Sequence, residues 1–215
     1  MNKQSAPAAL STDQIASALA PFFPNMSEIQ LALIQRYVNL LLSWNRSVNL
    51  TAIENPIEIV TRHFGESLFA ASVVRFCYGR LADVGTGAGF PGLPLKILQP
   101  ELNTVLIEPN VKKAAFLTEV VQDLSLKQVQ VVRTRFEEHR VEPGSIDFVC
   151  CRAMGEYKRL LKWSQTALNR DGRIILWLGT DDSITVGKAG RWIWDVPVRL
   201  PESKRRVLLV GRLAQ

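Results

Sequence analysis

The chain has 215 residues, 47% of them hydrophobic and 21% charged, and a net charge of +6. That length and apolar share bury a real core, as one large domain or one domain with an appendage. No apolar run approaches membrane-spanning length, Cys77 and the adjacent Cys150 and Cys151 give no disulfide framework, and His63 and His139 alone supply a zinc site poorly.

The opening stretch, MNKQSAPAALSTDQ, lacks the apolar centre of a signal peptide, and residues 1–10 read as a flexible tail. Residues 11–78 read as helical. Ser27-Glu28-Ile29-Gln30 has the form of a capping box. Beyond it Ile29, Leu33, Ile34, Tyr37, Val38, Leu41 and Leu42 recur at intervals of three and four, an amphipathic stripe. Asn55 before Pro56 marks another helix start, with Ile57, Val60, Phe64, Leu68 and Ala71 as its apolar face.

After Gly79 the texture changes. The β-rich runs LADVG, TVLIE, VQVVR, IDFVC and RIILWL alternate with helical segments near 92–98, 111–124 and 156–168. Such alternation predicts parallel strands joined by helical crossovers that cover both sheet faces. At the end, RWIWDVPVRL and RRVLLVGRL flank PESK and read as an antiparallel edge hairpin. The expected fold is therefore α/β, a mainly parallel seven-stranded sheet over 79–215 with a C-terminal edge hairpin, and a helical extension over 11–78.

The segment LADVGTGAGFPGLPL, residues 81–95, ends the first strand in bare backbone. Ligands of open α/β sheets sit at the carboxyl ends of strands, and glycine lets them approach the main chain. Gly87-Ala88-Gly89-Phe90-Pro91-Gly92 spells the dinucleotide pattern G-x-G-x-x-G. Asp83-Val84-Gly85-Thr86-Gly87-Ala88-Gly89 fits the acid-x-Gly-x-Gly-x-Gly loop that binds S-adenosylmethionine. Glu108, closing the second strand, suits the ribose of either ligand. The terminal hairpin favours the methyltransferase reading, since such sheets usually end in an antiparallel edge.

Several motifs together resemble the glucose-inhibited division protein B methyltransferases, which act on guanine N7 in small-subunit ribosomal RNA. DVGTGAGFPGLPL is close to that family's signature. WNRSVNLTAI (44–53), RHFGES (62–67), EPNVKKAAFL (108–117), RFEEH (135–139) and CRAM (151–154) resemble its other conserved segments. Similarity runs from about residue 30 to about 180. The resemblance implies a Rossmann-like class I methyltransferase fold and S-adenosyl-L-methionine as cofactor. It implies cofactor contacts at Gly85 and Phe90, at Phe136 and Glu137 after the third strand, and at Arg152 after the fourth. With Gly87, Gly89 and Glu108 these make the expected cofactor site. From the residues alone, Phe136 and Glu137 suit a loop hydrophobe beside a solvated acid pair, and Arg152 suits a salt bridge with a nearby acid. Glu66 stands where the family more often has aspartate, Cys151 where it has serine, and Trp177-Leu178-Gly179 where it commonly has Leu-Lys-Gly.

The expected function is methyl transfer to guanine N7 of 16S ribosomal RNA or the small ribosomal subunit. It needs no catalytic general base and no metal, and is expected in the cytoplasm, away from membranes. Arg62, His63, Lys112 and Lys113 are the expected RNA contacts, with Lys158 and Arg159 as further cations. For each a solvated surface role also fits, and His63 suits a structural bridge as well. Two other readings stand: an NAD-linked oxidoreductase, and a catalytically silent methyltransferase fold serving ribosome assembly.

Overall fold

A computed structural model describes residues 9–152 and 154–214, so the expected tail lies almost wholly outside the described residues. The first helix, α1 (Thr12–Leu19), starts at Ser11, whose hydroxyl accepts from Gln14 N–H in a capping box. The second, α2 (Glu28–Asn45), starts at the predicted Ser27–Gln30 box, and the Gln30 amide also donates to the Leu98 carbonyl at 3.1 Å. Its buried face is Leu31, Ile34, Tyr37, Val38 and Leu41. Ile29 is 75% exposed, because at 3.6 residues per turn it falls on the far side of α2 from Leu31.

Asn55 caps α3 (Pro56–Ile59), as the sequence predicts, accepting from Glu58 N–H. The chain then widens into a π-helical segment, Val60–Gly65, and tightens again into α4 (Glu66–Val73). The predicted Val60, Phe64 and Leu68 are buried, joined by Ile59, while Ile57 is 39% exposed and Ala71 half-buried.

Then come β1 (Gly79–Val84), α5 (Gly92–Leu98), β2 (Leu102–Ile107), α6 (Val111–Asp123), β3 (Val129–Val132) and β4 (Ile146–Arg152). They are followed by α7 (Tyr157–Ala167), β5 (Leu168–Gly179), α8 (Thr180–Val186), β6 (Trp192–Trp194), β7 (Val198–Arg199) and β8 (Arg206–Leu213). The sheet runs β3-β2-β1-β4-β5-β8-β6, parallel through β5, with β8 antiparallel to β5. It has eight strands where seven were expected. The segment 191–200 divides into β6 and β7, both paired antiparallel with β8, around Pro197, which has no N–H to give a ladder.

Strand order reverses between β2-β1 and β4, so the carboxyl end of β1 opens on the crevice where ligands of this architecture bind. One face of the sheet shares a core with the N-terminal helices: Tyr37, Phe64, Phe90, Leu93, Leu106 and Phe116 form one buried cluster. The loop after β1 is thus clamped between the sheet and the helical layer. No described helix is long and apolar enough to cross a membrane.

Candidate functional site

The loop prolongs the β1–β2 ladder: Gly85 and Thr86 N–H both donate to the Ile107 carbonyl, at 2.9 and 3.3 Å. Gly85, Gly87 and Gly89 then take φ of +68°, +61° and +93°, which side chains rarely adopt. Their open sides differ. A Cβ on Gly87 would meet nothing within 4 Å, and one on Gly85 would lie 3.2 Å from Met154 Cε. On Gly89 it would overlap the Tyr37 hydroxyl and come within 2.6 Å of Leu93 Cδ1. Gly85 and Gly87 therefore bare the backbone to the crevice, while Gly89 lets the loop close onto the helices. The Tyr37 hydroxyl donates to the Ala88 carbonyl and fixes that closure.

Two buried carboxylates shape the loop. Glu108 accepts from Gly87 N–H and from Asn110 N–H, each at 2.9 Å, which leaves further lone pairs on both oxygens. Asp83 Oδ2 accepts from the Thr86 hydroxyl at 2.5 Å and Gly92 N–H at 2.7 Å. Its Oδ1 is buried with no partner. Burial, with a smaller push from Glu108, lifts the Asp83 carboxyl to about 7 against the pull of its two hydrogen bonds and Arg152. An open glycine backbone, a carboxylate with spare acceptor capacity and an orphaned buried acceptor together fit a ligand with an amino-acid end and a ribose.

The other predicted positions divide. Phe90 is 6% exposed, and its ring stacks on Tyr37 at 5.5 Å and on His63 at 4.8 Å. It offers a ligand main chain only. Phe136 also turns inward, edge-on to Trp163 at 6.1 Å, and Glu137 pairs with Arg159 at 3.7 Å. His63 Nε2 shares a 2.7 Å hydrogen bond with the Thr51 hydroxyl. Burial first, then Arg152, Arg62 and Arg206, lower the His63 ring to about 3, so it is a neutral bridge between loop and helices. Lys112 and Lys113 begin α6, where their N–H groups donate to Asn110 Oδ1 at 3.0 and 3.1 Å. They share no hydrogen bond or ion pair with the Arg62 group.

Arg152 ends β4 facing Glu66, at 3.3 Å. Arg62 reaches the same carboxylate at 3.3 Å and Arg206 at 2.5 Å. Burial pushes the Glu66 carboxyl up, and the three guanidiniums, Arg152 foremost, pull it back. Trp177, in the divergent Trp-Leu-Gly run, donates its indole N–H to the Glu66 carbonyl at 2.7 Å. Sequence reasoning named Asp83 as the acid of the glycine loop. It named Tyr37 on the buried stripe and Glu66 in RHFGES without giving either a part in the site, and did not single out Arg206. Asp83 heads the glycine motif, and Tyr37 has a polar tip on a buried stripe, so both carried a signal. Nothing local in the sequence joins residues 66 and 206. Among the described residues no cluster of His, Cys, Asp or Glu could hold a metal.

A family model described as GidB, rRNA small subunit methyltransferase G, matches residues 30–191. The Ribosomal RNA small subunit methyltransferase G of Roseiflexus castenholzii is 39% identical over 199 residues, covering 86% of this chain and 84% of that protein. The protein of the same name from Desulforamulus reducens is 35% identical, with 79% and 72% covered. Among solved structures, a SAM dependent methyltransferase from Aquifex aeolicus superposes with a TM-score of 0.64 at 14% identity, covering 77% of this chain and 97% of that one. That likeness carries the fold, a Rossmann-like methyltransferase sheet. With the family model spanning most of the chain and close relatives matched over most of their length, this chain belongs to the GidB family, rRNA small subunit methyltransferase G.

Proposed function

We propose that this chain transfers a methyl group from S-adenosyl-L-methionine to N7 of a guanine in small-subunit (16S) ribosomal RNA, in the cytoplasm. The observation that carries the reading is the open backbone of Gly85 and Gly87, braced by Glu108 at the carboxyl end of β1. The bound cofactor supplies a methyl group already activated on a sulfonium. Gly85 and Gly87 hold its amino-acid end, Asp83 Oδ1 offers that end a buried acceptor, and the spare lone pairs of Glu108 take the ribose hydroxyls. Glu137, tied to Arg159, closes the adenine side, and Phe136 supports it from the core. Arg152 acts by holding Glu66 in place.

Guanine N7 presents a free lone pair, so no side chain has to remove a proton before attack. His63 is neutral and bonded to Thr51, which suits a positioning role and not a base. Rate enhancement then comes from alignment in a site that tolerates the charge passed to guanine. N7 lies on the major-groove edge, closed to proteins in an RNA helix, so the target is an unpaired or extruded base. Arg62, Lys112 and Lys113 serve the surrounding phosphates, and membranes and metals have no part.

The test is incubation with labelled S-adenosylmethionine and unmethylated small subunits, followed by borohydride–aniline cleavage at N7-methylguanine. Cleavage at one site supports the reading. Cofactor binding without cleavage supports a silent assembly module instead, and binding of NAD alone an oxidoreductase.

A further inference from the structure

Beyond the cofactor crevice, a cavity of about 660 Å³ opens between the segment after β4 and α8. That is within the roughly 300–1,000 Å³ typical of small-molecule sites. Its loop-side wall is Met154, whose Cε lies 3.2 Å from where a Gly85 Cβ would be, so cavity and glycine loop adjoin. Asp182 on α8 and Tyr157 at the start of α7 line the cavity as well. Asp182 Oδ2 sits 3.7 Å from where a Gly179 Cβ would be, over the end of β5. Burial, then Cys151 and Asp182, raise the Tyr157 phenol to about 12. Lys158 and Lys188 also line the cavity. Among the described residues Asp182, Lys158 and Lys188 have no hydrogen-bond or ion-pair partner for their side chains.

We propose that this cavity receives the acceptor base and that Asp182 selects guanine by accepting from its N1–H and 2-amino group. The proposal rests on guanine N7 being the methylated atom. The chemistry follows from the purine itself. In guanine the 2-amino group lies diagonally across the purine from N7, with N1–H beside it, so a base whose N7 points toward the Gly85 loop extends its 2-amino group and N1–H toward α8. The carboxyl ends of β1 and β5 are two strand spacings apart, roughly 10 Å, enough for one flat base with its contacts. A carboxylate accepts both guanine donors, whereas adenine presents an acceptor at N1 and is repelled. Lys158 and Lys188, which line the same cavity, supply cations for phosphates flanking the base.

The experiment is titration calorimetry of guanosine, inosine and adenosine 5′-monophosphates into the full chain saturated with S-adenosylhomocysteine. The wild type is compared with Asp182→Asn and Asp181→Asn, which remove the same charge from adjacent exposed positions. The wild type is expected to bind the guanosine nucleotide roughly tenfold tighter than the other two. Asp182→Asn abolishes that preference and Asp181→Asn keeps it. Equal affinities in the wild type, no guanosine nucleotide binding, or a preference that survives Asp182→Asn each overturn the proposal. Failure of the ribosomal labelling assay with the nucleotide preference intact would instead overturn the assignment of rRNA as substrate.

Discussion

Gly87 donates its N–H to the Glu108 carboxylate at 2.9 Å, which ties the loop after β1 to the end of β2. The same residue opens its missing side chain to the crevice, whereas Gly89, two positions on, opens toward Tyr37. Gly87→Ala is expected to cost only about 1–2 kcal/mol, the backbone penalty of a left-handed residue, yet to weaken S-adenosylmethionine binding at least tenfold. Gly89→Ala adds a collision with Tyr37 and Leu93 and is expected to cost about 3 kcal/mol or more. Urea unfolding and calorimetric titration of both variants check this, and equal losses of stability would refute the assignment of the two faces.

Glu66, with a side chain only 2% exposed, answers three guanidiniums drawn from the π segment, β4 and β8. Glu66→Gln leaves them facing one another. Breaking a buried pair costs about 3–5 kcal/mol, and solvent on Arg62 and Arg206 places this case near the lower end. A urea midpoint unchanged in Glu66→Gln would mean that the cluster contributes nothing to the fold.

Asp83 gives a pH dependence of definite sign. Its carboxyl titrates near 3.8 unfolded and about 7 folded, chiefly because burial disfavours the charge. Between those values the folded chain keeps a proton that the unfolded chain has lost, so this stabilisation is full below 3.8 and disappears as pH rises through 7. Asp83→Asn keeps an acceptor for Gly92 N–H and removes the titration. Unfolding free energies measured at several pH values are expected to flatten across that window in the variant.

His63 acts in the opposite sense. Its ring falls from 6.5 to about 3 on folding, so the unfolded chain takes up a proton that the folded chain refuses. The stabilisation is present above 6.5 and is lost as pH falls toward 3. His63→Gln is expected to be less stable at neutral pH, through loss of the Phe90 stack, and less sensitive to acid. Because the windows of Asp83 and His63 overlap, comparison of the two single variants with the double variant separates them.

Much of the site was legible where a signal is local. The caps at Ser27 and Asn55 are made by residues three apart, so sequence spacing is spatial spacing. The glycine pattern likewise specified a positive-φ loop, because only backbone freedom at those positions was in question. Phe90 and Phe136 show where such reasoning stops. Their motifs placed them beside a ligand, but their rings turn into apolar clusters whose other members lie on α2, the π segment and α7.

By itself the sequence determined most of the helices and strands, though not α8 or the π segment, that the β1 loop is bare, and that the chain resembles one methyltransferase family. Those properties depend on hydrogen bonds and side-chain spacing within a few residues. Only the tertiary structure decided that Tyr37 clamps Ala88, that Glu66 gathers arginines from 62, 152 and 206, and that Asp182 faces a cavity beside Gly85. Periodicity fixes which face of an element is buried, but the partner that meets it is set by how distant elements cross and by the desolvation cost of leaving a buried charge alone.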